Sequence, residues 1–184
     1  MGLCLITQGI GVDCEQLRNV GGLFSDLYVA NLSQISSYVT DANGYVTDIV
    51  FKDPVYNGLY LFEGTKGSHS AGYEVLNAGA GSNTYFNHTV TMKLFGDDPL
   101  DNEVIQDLIV GEYVVIARTR NNQFKIYGGT SGLKASEGTQ NSGQEEGSDT
   151  TDSLTLTGCE KTMPLYFFDA DVETTLNKLN SYVI

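Results

Sequence analysis

An asparagine-glycine step between two alternating runs constrains this chain more than any other feature. Tyr38-Val39-Thr40 leads into Asp41-Ala42-Asn43-Gly44, and Tyr45-Val46-Thr47-Asp48-Ile49-Val50-Phe51 follows. Tight hairpin turns of the primed types need positive φ, which Asn and Gly adopt at least cost, so the segment predicts an antiparallel β-hairpin. From Thr84 to Phe95 the alternation is cleaner still. Phe86, His88, Val90, Met92 and Leu94 share one face and Thr89, Thr91 and Lys93 the other, as in a half-buried strand. Further strands are read at Leu23 to Ile35, Leu59 to Glu63, Tyr73 to Leu76, Tyr113 to Thr119, Gln123 to Tyr127, Ser153 to Gly158 and Met163 to Phe168. Composition points the same way: 21 Gly against 3 Pro, with 11 Tyr and 8 Phe, favours strands and turns.

Two segments change period. Asp98 and Pro99 supply an N-cap and a first helical residue, and Leu100, Val104, Leu108, Ile105 and Ile109 then form one apolar stripe that stops at Gly111. Asp169 or Asp171 caps a final helix carrying Leu176 and Leu179 on its buried side. The expected fold is mainly β, a sandwich or barrel of antiparallel strands with a short helix near 99–110 and a C-terminal helix near 171–182. A chain of 184 residues makes this a single domain over 1–184. At this size folding buries roughly 70% of the unfolded surface, so neither metal nor disulfide is required. Gly128 to Asp152 stands apart. Six glycines and the acids Glu137, Glu145, Glu146, Asp149 and Asp152, interspersed with small polar residues, read as a long acidic loop or hairpin arm.

The formal net charge of −13, from 23 acidic and 10 basic residues with no basic run, disfavours stable nucleic-acid binding. Cys4, Cys14 and Cys159, odd in number and unrelated in spacing, argue against a disulfide framework and for a reducing site of synthesis. Met1-Gly2-Leu3-Cys4-Leu5-Ile6 lacks the basic start of a signal peptide, and Ile6 stands where a myristoylation signal wants Ser or Thr. With no apolar run near the ~20 residues of a membrane span, the expectation is a soluble protein made in a cytoplasm.

Catalytic patterns fail one after another. His88 lies on the apolar face of its strand and reads as a structural histidine. His69, in Gly67-Ser68-His69-Ser70-Ala71-Gly72, reads as part of a flexible polar turn, because a nucleophile elbow needs Gly-x-Ser-x-Gly. Asp97, Asp98, Asp101 and Glu103 lack the spacing of a calcium loop, and no Cys-x-x-Cys pair or spaced histidine pair suggests zinc. Gly9-Ile10-Gly11 and Gly79-Ala80-Gly81 lack the third glycine of a phosphate cradle. The expectation is no catalytic, cofactor or metal site, and no enzyme.

Gly132-Leu133-Lys134-Ala135-Ser136-Glu137-Gly138-Thr139-Gln140-Asn141-Ser142-Gly143, then Asp152-Ser153-Leu154-Thr155-Leu156-Thr157-Gly158-Cys159-Glu160 and Pro164, resembles structural virion proteins of tailed phages infecting Bacteroidota. Within residues 84 to 158, the order strand, short helix, hairpin, long loop, strand is similar to tail tube proteins. The resemblance spans the C-terminal half and is not a strict motif. It implies a homo-oligomer: hexameric rings that stack into a tube, join other tail or neck proteins of the virion, and pass DNA without specific binding. An acidic lumen suits that passage, because like charge keeps phosphates from sticking. The resemblance further implies subunit contacts through Glu137, Gln140, Asn141, Glu145, Glu146, Asp149 and Asp152. A capsid decoration, neck or head-tail connector protein is the first alternative. A carbohydrate-binding β-sandwich, suggested by the tyrosines and disfavoured by the lack of tryptophan, is the second.

Overall fold

The computed structural model describes residues 21–77, 84–95, 98–141 and 151–184. Eleven strands and two helices follow one another: β1 Leu23–Asn31, β2 Ile35–Thr40, β3 Val46–Phe51, β4 Tyr60–Glu63, β5 Ser70–Asn77, β6 Thr84–Leu94, α1 Pro99–Val110, β7 Tyr113–Thr119, β8 Phe124–Tyr127, β9 Lys134–Asn141, β10 Thr151–Glu160, β11 Leu165–Phe167 and α2 Val172–Ser181. They form a β-sandwich of a seven-stranded sheet, ordered β2-β3-β11-β8-β7-β1-β4, and a four-stranded sheet, ordered β5-β6-β10-β9. Every described pairing between these strands is antiparallel except β11 with β3, where Phe167 lies beside Val46.

Two apolar layers explain the order. Leu27, Val29, Val115, Ala117 and Tyr127 leave one face of the large sheet and meet Val90, Met92, Leu94, Leu154 and Leu156 of the small sheet. Tyr28, Ala30, Val114, Ile116, Phe124, Ile126 and Phe167 leave the other face and meet Leu179, Leu176 and Val172 of α2. Leu27 to Ala30 and Tyr113 to Ala117 are buried without a break, as expected of central strands covered on both sides. Polar ties fasten α2: the Tyr28 hydroxyl donates to Asn180 at 2.7 Å, and Lys178 reaches the Thr47 carbonyl at 2.6 Å.

Several local expectations change in detail. The 41–45 turn is not a two-residue primed turn, because only Gly44 has positive φ (+87°). The Asp41 carboxylate gathers the N–H groups of Asn43 and Tyr45, and Asp41 N–H bonds the Tyr45 carbonyl. A glycine bulge thus does the work expected of the Asn-Gly pair. The run from Leu23 breaks into β1 and β2 at a 3-10 turn, Leu32–Gln34. Part of the supposed polar turn 64–72 belongs to β5, and Ser68 and His69 are buried. Helix α1 is capped as expected, Asp98 accepting from Leu100 and Asp101 N–H. Its stripe is only half used: Leu108 is buried, but Leu100 is 71% and Ile109 52% exposed, because the helix touches the core mainly by its last turn. Among the described residues no helix is long and apolar enough to cross a membrane.

Candidate assembly surface

Residues 128–152, read from composition as a loop or arm, divide into a buried turn and a hairpin. Strand β9 pairs with β10 so that Glu137 faces Thr155, Gln140 faces Asp152 and Asn141 faces Thr151. Glu137 and Gln140 are exposed and Asp152 is half-buried. The structure therefore brings four of the seven anticipated contact residues together at the end of the small sheet. Glu145, Glu146 and Asp149 lie outside the described residues. So do Cys4, Cys14, Asp97 and the two glycine pairs dismissed as phosphate cradles.

Two buried ionisable groups hold the base of this hairpin. His88 Nδ1 accepts the Gly128 N–H at 3.2 Å, so Nε2 carries the ring proton and donates to the Thr162 carbonyl at 3.0 Å. One Glu160 carboxyl oxygen accepts both Thr130 N–H at 2.9 Å and Ser131 N–H at 2.8 Å. Between them the chain turns through Gly128 and Gly132, with φ of +70° and +81°. A Cβ on Gly158 would lie 2.1 Å from the Gly132 carbonyl oxygen, so the two segments approach to a distance only glycine permits. Glu160 was not singled out from sequence, although a signal existed. It shares the parity of Leu154 and Leu156 on β10, which aims it inward.

Burial lowers the His88 pKa below the ordinary imidazole value, opposed by the Thr162 carbonyl and the Glu160 charge. His69 is lowered as well, first by burial. An unfolded imidazole titrates near ~6.5, so below that pH the unfolded chain binds more protons than the folded one. Stability is complete above this value and is lost as pH falls through the depressed folded value. The urea midpoint is expected to decline from pH 7 to pH 5, and less steeply in His88→Gln. An unchanged slope in that variant would remove His88 from the account.

Around the hairpin the surface is unevenly covered. Strands β2 and β4 bound the large sheet, β5 and β9 the small one. The C-terminal residues cover only the start of β4, through a bridge between Leu59 and Val183. Beside β4, α1 leaves Leu100, Val104, Ile109 and Val110 exposed, and Tyr73 and Val75 are exposed on β5. The outward face of the small sheet is rich in hydroxyls. Thr91 and Thr155 stand with their oxygens 3.2 Å apart, and Thr89 faces Thr157 in register. Two clefts open near the 119–123 turn. One, about 460 Å³, is lined by Tyr45, Tyr166, Phe168, Asn122 and Gln123. The other, about 410 Å³, is lined by Phe24, Ser25, Gly64, Lys66 and Arg120.

Both histidines bond backbone groups. His88 is committed to two backbone groups, and His69 Nδ1 accepts the Lys93 N–H at 3.4 Å from a buried position. Among the described residues no cluster of His, Cys, Asp or Glu is arranged to hold a metal ion. Comparison with protein families, with curated proteins and with solved structures returned no match.

Proposed function

We propose that this chain is a structural virion subunit, a tail tube protein whose copies close into hexameric rings and stack into a conduit for DNA. The observation that carries this reading is the α1 stripe, part of which the described residues leave uncovered, beside β4, which has no strand on its outer side among them. Leu100, at 71% exposure, and Val104, at 46%, stand one turn apart on that stripe, an exposed apolar pair that a partner surface would cover. An adjacent unpaired strand edge offers backbone donors and acceptors to the same neighbour. Head-to-tail repetition of one such contact closes a ring when the rotation allows it. The hydroxyl face of the small sheet suits the lining of a passage, because threonines hydrate well and offer DNA no cation. Lys93 and Lys134 are the bases on the described part of that face, and Lys134 is paired with Glu112 at 2.8 Å. The hairpin β9–β10 then reaches a neighbouring subunit through the acidic residues at its end.

Negative-stain imaging of the purified protein tests the proposal. Stacked rings are expected; monomers or trimers that never stack would favour a decoration or connector protein. The aromatic cleft favours a second reading. Tyr45 and Tyr166 meet edge-on at 6.2 Å, and Asn122 and Gln123 line the same cavity without any charged group. Aromatic faces beside amides suit a neutral sugar. Glycan-array binding by the monomer, lost on Tyr166→Ala, would establish that alternative.

A further inference from the structure

Self-association of a chain with net charge −13 meets long-range repulsion, so a contact between copies must gather the few available cations. The 410 Å³ cleft at the end of the large sheet does this. Lys66 and Arg120 line it, and Arg118 stacks on Phe24, one of its walls, with the guanidinium carbon 4.2 Å from the ring centroid. Arg118 is on β7 and Arg120 follows it in the turn, where its N–H bonds the Gly22 carbonyl beside β1. The ion pairs among the described residues are Lys134 with Glu112 and Lys178 with Asp169, so none of these three cations has a described carboxylate within 4.0 Å. Asp26 and Glu63, opposite each other on β1 and β4, are the nearest acids along these strands. Asp26 accepts the Ser25 hydroxyl at 2.9 Å instead of a cation.

His69 lies behind the Gly64 wall of the cleft. His69 is 5% exposed, and because Nδ1 accepts from Lys93, Nε2 carries the proton. A Cβ on Gly64 would lie 2.4 Å from that Nε2 and 2.2 Å from the Ser68 hydroxyl oxygen, and the ring also interacts with the Ser25 backbone.

We propose that this cleft is a carboxylate-binding site and that its occupant is the acidic hairpin end of a second copy, residues 137–152. That stretch holds Glu137, Glu145, Glu146, Asp149 and Asp152 and neither Lys nor Arg. It joins two strands of the small sheet, which packs on the face of the large sheet opposite to that bearing Phe124 and α2. Phe24 and Arg118 lie on the Phe124 side, with Arg118 5.6 Å from the Phe124 ring centroid, so that wall of the cleft faces away from the small sheet that carries the subunit's own hairpin. A neighbour's hairpin can approach that wall directly. The inference rests on the assembly reading and gives it a recipient site.

Reciprocal charge reversal tests it in the full chain, with the association constant read by sedimentation velocity. Lys66→Glu with Arg120→Glu, and separately Glu145→Lys with Glu146→Lys, are each expected to weaken self-association at least about tenfold. All four together are expected to restore most of the loss, as coupled charge pairs do. Lys66→Ala, at an exposed position, gives a milder variant that keeps the fold, and melting curves identify the reversal variants that do so. Assembly that ignores the reversals, or losses that multiply without rescue, would overturn the docking site and leave the assembly reading intact. A wild-type chain that stays monomeric at every concentration would overturn both.

Discussion

Replacing Gly158 by alanine is expected to destabilise the fold by about 2–3 kcal/mol, the upper range for overpacking a site that cannot yield. The new methyl group would sit 2.1 Å from the Gly132 oxygen and 3.1 Å from its carbonyl carbon. Neither is a side chain that can rotate away. Relief requires moving the 128–133 turn, which His88 and Glu160 pin through three backbone N–H groups. For a domain of this size the loss corresponds to a fall in Tm of roughly 4–12 °C. Valine should be worse. Gly138, in the same hairpin, provides the contrast. Its Cβ would make an ordinary 3.5 Å contact with Leu154, so Gly138→Ala should be neutral or stabilising by less than about 1 kcal/mol. Equal melting temperatures for Gly158→Ala and Gly138→Ala would refute the close-approach account.

Removal of residues 140–149 is expected to abolish ring and tube formation while leaving the monomer folded. Both apolar layers are built from residues outside this stretch. The clamp on the 128–133 turn is also untouched, as is most of the β9–β10 pairing, from Ser153 with Thr139 to Thr157 with Lys134. The unfolding midpoint should therefore move little, while light scattering and negative stain report loss of assembly. Normal tubes from the shortened chain would sink the assignment of this hairpin as a subunit contact, and with it the cleft proposed to receive it.

Legibility from sequence followed the range of the interactions. The 45–51 strand, the alternation of β6 and both helix caps rest on residues within a few positions of one another, and all four were readable. Asp98 and Asp171 accept backbone N–H groups two or three residues ahead, which a linear pattern specifies. The hairpin end was likewise visible as a run of acids and glycines, although β9 was not. Its sequence Lys-Ala-Ser-Glu-Gly-Thr-Gln-Asn lacks the branched and aromatic residues that signal a strand. Pairing with β10 supplies what propensity does not.

Tertiary structure decided the rest. That β11 lies between β3 and β8, and that β7 joins β1, depends on which apolar faces find one another across long stretches of chain. His69 looked like part of a polar turn because its neighbours are Gly and Ser, yet β6 supplies a backbone donor that draws it inside. The α1 stripe looked like a buried face because periodicity reports which residues share a side, not whether anything covers it. Arg118, Arg120 and Lys66 formed no run in sequence and came to one corner of the sheet only when β7 and β4 paired with the two sides of β1. By itself, then, the sequence determined the strand-rich class, the capped helices and the acidic hairpin end, through short-range steric and hydrogen-bonding preferences. Which surfaces remain open to a partner depends on contacts between residues far apart in the chain, and only the assembled sheets decided that.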